Sequence, residues 1–282
     1  MEGKNVIVTG ASRGIGVRIA RALAARRTNL LLVARSEPEL IRVARELRGP
    51  ETKVAVAAID LGVSRAAERV AAAAAAELGT VDVLVNNAGV ELQRRFHTLD
   101  TGEIEAVVRV DLLTPIELSH LLLPGMLERG YGRIINISSL AGRTGFPFTE
   151  AYAASKDGLI AFSRVLRNDY RRAGVSSSAI VLGPVKEAGI GQRTLDETGL
   201  KANTAFMVRP EKVAKAVLRA IDKDKAEIVV APGPGRLMKA LMDLFPGLGP
   251  AMNRISGAEE LMGVVADHRE QSHTATPGKE SA

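Results

Sequence analysis

The chain has 282 residues, of which 46% are hydrophobic and 25% charged, so it can bury a full core within one domain. Cysteine is absent, which excludes a disulfide framework, a thiolate nucleophile and a thiolate metal site, and fits a reducing compartment such as the cytoplasm. The net charge is +6, but aromatics make up only 3% and Trp is absent; without basic–aromatic alternation suited to base stacking, nucleic-acid binding is not expected.

The start, MEGKNVIVTG, lacks the charged-then-apolar pattern of a signal peptide, and no apolar run approaches the ~20 residues of a membrane span. Val6–Val8 reads as a short buried strand, Ile15–Ala25 as a helix and Leu30–Ala34 as a second strand. Ser36-Glu37-Pro38-Glu39 predicts a helix opened by a capping box and stopped at Gly49. Val54–Ile59 is the third strand, ending at Asp60. The alternation continues with helix Arg65–Leu78, strand Val81–Val85, a long helix Gly102–Arg129 and strand Arg133–Ile137. Helix Ala151–Arg172, strand Ser177–Leu182, helix Glu211–Asp222 and strand Glu227–Val230 follow. This order predicts an α/β fold with a doubly wound parallel sheet over residues 1–232.

Residues 233–282 hold four of the seven methionines and several Gly and Pro breaks. Residues 233–268 read as an amphipathic helical extension and 269–282 as a disordered tail. Leu237, Met238, Leu241, Met242, Leu244 and Phe245 follow helical spacing, for packing on the domain or a second subunit, or for peripheral membrane contact.

Directly after the first strand comes TGASRGIG, with Gly10, Gly14 and Gly16 leading into a helix. Such a turn lets backbone N–H groups approach a pyrophosphate, whose charge the positive helix end favours. The Gly-x-x-x-Gly-x-Gly spacing resembles the short-chain dehydrogenase/reductase family. Four further matches stand in family order: Asp60-Leu61, NNAG at Asn86–Gly89, Ser139 in ISS, and Tyr152-Ala-Ala-Ser-Lys156. The resemblance implies a nicotinamide cofactor bordered by Gly10, Ser12, Arg13, Gly14, Ile15, Gly16, Asp60, Leu61, Asn87, Ala88, Gly89, Gly183 and Val185. An acidic residue after the second strand would repel a ribose 2′-phosphate and arginine would pair with it; Arg35 occupies that position and Arg13 approaches from the glycine turn, so NADP(H) is expected over NAD(H). Residues 1–60 hold eleven Lys and Arg against six Asp and Glu, which places most of the net positive charge at this end of the chain.

Tyr152 and Lys156, four apart, share a helix face. A free tyrosine has a pKa of ~10, so it needs a nearby cation to work as a reversible acid and base, which Lys156 supplies. The resemblance implies that Lys156 also holds the nicotinamide ribose and that Ser139 hydrogen-bonds the substrate oxygen. No metal is needed; His97, His120, His268 and His273 lack ligand-like spacing.

The chain departs from the family pattern in two places. Asp111, in VRVDLL, stands where the family has an asparagine supporting a water relay to the lysine. Leu182 replaces the usual proline before Gly183, and Glu187 the usual threonine beyond Val185. Residues 142–148 and 186–208 occupy the family's substrate-pocket positions, where Phe146, Phe148, Ile190, Leu195, Leu200, Phe206 and Met207 offer an apolar lining. The expected activity is reduction of a carbonyl, or oxidation of a secondary alcohol, on an apolar acyl thioester, steroid or lipid ketone. The competing reading is a cofactor-binding protein with little turnover, Asp111 and Glu187 marking lost catalysis. A homodimer or tetramer is implied, with helices 102–129 and 151–172 as interfaces.

Overall fold

A computed structural model describes residues 1–186, 194 and 207–274. Short apolar runs form the strands β1 (Asn5–Thr9), β2 (Asn29–Ala34), β3 (Val54–Ala58), β4 (Val83–Asn86), β5 (Gly132–Ser139), β6 (Val175–Leu182) and β7 (Glu227–Val230). They pair in parallel in the order β3-β2-β1-β4-β5-β6-β7. The chain winds outward in one direction from β1 and in the other from β4, so a crevice opens beyond their carboxyl ends. Register fixes that crevice: Val8 lies opposite Val85, which places Gly10 and Asn87 side by side just past the paired residues.

Helices α1 (Gly14–Ala24) and α2 (Glu37–Leu47) cover one face with α8 (Pro210–Lys223). Ile19, Leu23, Leu40, Val213 and Val217 pack there against Val6, Leu30 and Val85. The other face is covered by α3 (Ala66–Leu78), α4 (Thr101–Val108), α5 (Thr114–Glu128) and α7 (Glu150–Tyr170). Val70, Ala74, Leu118, Met126 and Leu166 meet Ile7, Leu31, Leu84 and Ile134 on that side. A short α6 (Ala141–Thr144) follows β5. Beyond β7 come α9 (Gly235–Leu244), α10 (Leu248–Ile255) and α11 (Ala258–Thr274).

Four local differences from the sequence expectation have physical causes. Ser36 does sit at the start of α2, but its side chain makes no cap bond; the reciprocal box forms at α4 instead, between Asp100 and Glu103. The long helix 102–129 is not uniform, because Arg109–Leu113 form a π turn in which Thr114 N–H donates to Arg109 C=O, five residues back. The expected disorder from Arg269 does not hold for the described residues: α11 runs to Thr274, with Arg269 bonded to Leu92 C=O and Glu270 to Arg95. Composition alone carries no trace of those long-range partners. Finally, only part of the apolar stripe at 237–245 is covered. Met242 is buried, whereas Leu244 is 71% and Phe245 62% exposed. Lys239 is itself buried, between Asp243 and Glu227.

Candidate active site

At the switch point the loop after β1 touches the loop after β4. Gly10 has φ +66°, a left-handed conformation that favours glycine, and a Cβ there would lie 2.9 Å from Ala88 Cα. A Cβ on Gly16 would run into Gly10 C=O. Thr9 Oγ1 accepts from the backbone N–H of Asn87 (2.9 Å) and Ala88 (3.0 Å), and Asn87 Nδ2 donates to Thr9 C=O (2.9 Å). The two loops are thereby locked while α1 presents its N-terminus to the crevice, with Ser12 buried behind it.

No side chain caps α1, and its first turn holds no acid. Arg13 and Arg35 are exposed and, among the described residues, neither pairs with a carboxylate. Open helix N–H groups beside two uncompensated guanidinium groups fit a dinucleotide carrying an extra phosphate. Asp60, at the end of β3, turns one oxygen onto Gly62 N–H at 2.8 Å, and Leu61 C=O accepts from Thr114 Oγ1 at 2.9 Å. On the opposite flank Gly183 N–H donates to Val230 C=O at 2.9 Å, and Val185 bridges to Val208.

Ser139 ends β5, where its Oγ accepts from Ala141 N–H (3.1 Å) and lies toward Tyr152. Tyr152 and Lys156 lie on one face of α7, with Lys156 Nζ 5.5 Å from the tyrosine ring centre. That ammonium donates to Ile137 C=O at 3.2 Å and stands 2.7 Å from Asp111 Oδ1. Asp111, at the position of the family's asparagine, meets the lysine in a direct ion pair. The π turn swings Asp111 inward, because the extra residue in that turn re-aims the side chains it carries. The other Asp111 oxygen accepts from Val90 N–H at 3.0 Å. Gly89 leaves the space this needs, since a Cβ there would sit 2.7 Å from Asp111 Oδ1.

The electrostatics follow from burial. Asp111 and Lys156 are both shut away from solvent. Burial pushes the Asp111 carboxyl above its ordinary range, while Lys156 and the Val90 N–H pull it back. One of its oxygens accepts from Val90 N–H, and the other stands at ion-pair distance from the Lys156 ammonium. Tyr152 is pushed well above 10, first by burial and then by the negative charge of Glu91 and Asp111; the Ser139 hydroxyl opposes this. The expectation that Lys156 would lower the tyrosine pKa is thus not met, because burial, followed by the negative charges of Glu91 and Asp111, pushes it up.

Sequence reasoning missed two groups here. Glu91, two residues past NNAG, faces Tyr152, and Arg269 reaches back from α11 to Glu91 and Leu92. A charge directly behind the motif was the available signal for Glu91; Arg269 had none. Glu187, Ile190, Leu195, Leu200 and Phe206 lie outside the described residues.

Residues 4–199 match the family described as short chain dehydrogenase. The chain is 37% identical over 249 residues to the ketoacyl reductase HetN of Nostoc sp., covering 88% of this chain and 85% of that protein. It is 31% identical over 251 residues to dehydrogenase/reductase SDR family member 7B of Mus musculus, with 86% and 78% covered. Its fold is similar to that of a metagenomic short-chain oxidoreductase in complex with NADP, at a TM-score of 0.69 and 32% identity, over 83% of this chain and 99% of that one. With the glycine turn, NNAG, Ser139 and the Tyr152–Lys156 pair assembled in one crevice, this chain belongs to the short chain dehydrogenase family.

Proposed function

We propose that this protein is an NADP(H)-dependent oxidoreductase that moves a hydride between nicotinamide and the carbon of a carbonyl or secondary alcohol. It works as a ketoreductase on an apolar substrate, of which an acyl thioester, a steroid and a lipid ketone are the candidate classes. The carrying observation is the grouping of Ser139, Tyr152 and Lys156 beside the glycine turn. The ketoacyl reductase among its relatives supports the thioester class.

The cofactor, when bound, supplies or takes up the hydride. Residues 10–16 would hold its pyrophosphate, and Arg13 and Arg35 its 2′-phosphate. Asp60 and Leu61 would border the adenine, and Asn87, Ala88, Gly89, Gly183 and Val185 the rest. Ser139 Oγ orients the substrate oxygen, and Tyr152 O–H delivers the proton to it as the carbonyl is reduced. Lys156 Nζ anchors the ribose while Asp111 holds that ammonium in place. A tyrosine pushed well above 10 stays protonated at neutral pH, which suits reduction and opposes the reverse step. The same compensation of Lys156 by Asp111 favours a second reading, a cofactor-binding protein with little turnover.

The protein is further proposed to act in the cytoplasm as a homodimer or tetramer through the faces of α5 and α7. Val165 on α7 is 60% exposed there; a monomer mass by light scattering would end that proposal. Leu244 and Phe245 support peripheral membrane contact, which failure to float with vesicles would remove. Among the described residues no helix is long and apolar enough to cross a membrane.

The functional test is a screen of ketoacyl thioesters, steroid ketones and lipid ketones by NADPH absorbance, beside cofactor titration. NADPH oxidation with at least one class is expected; tight cofactor binding with no turnover on any class would favour the second reading. In the same titration Arg35→Asp is expected to weaken NADPH binding about 100-fold and NADH binding only a few-fold. Equal losses would remove Arg35 from the phosphate site.

A further inference from the structure

Ser139 and Tyr152 stand at the two ends of one short connector, and a helix from the far end of the chain is built onto its apex. From Ser139 the chain runs through α6 to Gly145 and returns past Thr149 into α7. On its inner side α6 packs directly on α7: a Cβ on Gly142 would lie 2.9 Å from Ala153 C=O, one residue past Tyr152. The returning limb is strained. Phe148 has φ +58°, a left-handed conformation that an aromatic residue keeps only where its surroundings fix the chain.

α10 supplies such a surrounding. Its two buried residues, Gly249 and Asn253, are four apart and share one face. A Cβ on Gly249 would come within 2.6 Å of Thr144 Cα, so glycine there lets the helix reach the backbone of the connector. Asn253 Nδ2 then donates to Thr144 C=O (2.9 Å) and Gly145 C=O (3.0 Å), the carbonyls that the end of α6 leaves without helical partners. Beside this contact Arg143 of α6 stands 3.1 Å from Asp157 on α7 and 3.4 Å from Asp243 on α9. We propose that Asn253 is a positioning residue for the catalytic pair: by holding the apex of the connector it fixes the mutual placement of Ser139 and Tyr152, which makes α10 part of the catalytic apparatus. This rests on the reading of those two residues as the groups that orient the substrate oxygen and deliver its proton.

The test begins without turnover. The chain has three tyrosines, so labelling the full chain with 13C in the tyrosine rings gives few resonances, and Tyr152→Phe assigns the one of interest. Asn253→Leu keeps the side chain's approximate size and removes both donors. It is expected to shift the Tyr152 resonance while those of Tyr131 and Tyr170 stay, and to speed amide exchange over residues 141–147 about ten-fold. Asn253→Gln, which keeps the amide, should restore part of both. Val217→Ala truncates a buried side chain of α8 on the opposite face of the sheet, and as a control for lost stability alone it should move neither. Should Asn253→Leu fail to fold, Asn253→Ser, with one donor, carries the same readouts.

On a carbonyl substrate found in the NADPH screen, Asn253→Leu should lower kcat about ten-fold with NADPH affinity within about two-fold, whereas Val217→Ala should keep both within about two-fold. A Tyr152 resonance unmoved in Asn253→Leu, an equal response in Val217→Ala, or an unchanged kcat in Asn253→Leu overturns the proposal. Lack of wild-type turnover on every substrate class, with the Tyr152 shift intact, would count against the ketoreductase reading alone.

Discussion

At 2.7 Å from Lys156 and closed off from solvent, the Asp111 carboxylate compensates the Lys156 cation that would ease ionisation of Tyr152. Replacing it by asparagine keeps a hydrogen-bond acceptor for the ammonium and removes the charge. Asp111→Asn is therefore expected to lower the apparent pKa of alcohol oxidation by about one unit and to raise its rate near neutrality. An unchanged pH–rate profile, measured where hydride transfer limits the rate, would contradict a charged Asp111. The substitution should also cost about 3–5 kcal/mol of stability in denaturant unfolding followed by circular dichroism, since it leaves a buried ammonium without its counter-ion. At this scale the sequence was most informative where a motif has fixed spacing. Tyr152 and Lys156 were legible because the helix period puts them on one face, and Ser139 through the family resemblance carried by ISS. The partner of Lys156 was legible only as an unusual residue type. Whether position 111 reaches the lysine directly or through water depends on how the helix is wound, which no residue identity encodes.

That winding belongs to the element scale. An α-helix over 102–129 was the natural reading of its apolar spacing, yet a π turn at Arg109–Leu113 interrupts it. A π turn makes poorer local bonds than α geometry, so tertiary demands, here the Lys156 ion pair and the Thr114 bond to Leu61 C=O, select it over propensity. The strands were easier, because buried parallel strands appear as continuous apolar runs whichever neighbours they have. Another element-scale junction is Asp224, which ends α8. It accepts from Arg167 Nη1 (2.7 Å), Ser176 Oγ (2.6 Å) and Arg171 Nε (2.8 Å), tying α8 to α7 and β6. Burial would raise its carboxyl, but hydrogen bonds from Arg167, Ser176 and Arg171 outweigh that and hold it well below the ordinary range. A folded pKa below the unfolded one contributes stability that is present above the unfolded value of 3.8 and lost as pH falls through the folded one. Asp224→Asn should thus cost about 2 kcal/mol at neutral pH and flatten the loss of stability below about pH 4. Equal acid sensitivity of wild type and variant in denaturant unfolding would show that Asp224 does not carry that limb.

Across the whole molecule, the doubly wound parallel sheet followed from the alternation of elements and the helical character of residues 233–268 from their apolar spacing, whereas the partners of that extension did not. Its helices find partners more than a hundred residues away: Asn253 on the carbonyls of Thr144 and Gly145, and Arg269 and Glu270 on the loop after β4. The polar composition from Arg269 onward reads as an end coming loose, and only the assembled fold supplies the contacts of Arg269 and Glu270. The extension thereby contacts the segments that follow β4 and β5, so the crevice is flanked by both ends of the chain. The central claim is that this crevice reduces a carbonyl with Tyr152 as proton donor. The most direct measurement is turnover and NADPH affinity of Tyr152→Phe beside the wild type, on a carbonyl substrate found in the NADPH screen. The account predicts a loss of about 10³-fold or more in kcat with NADPH affinity within about two-fold, because the change removes the proton donor and little packing. Turnover retained at the wild-type level in Tyr152→Phe would contradict it.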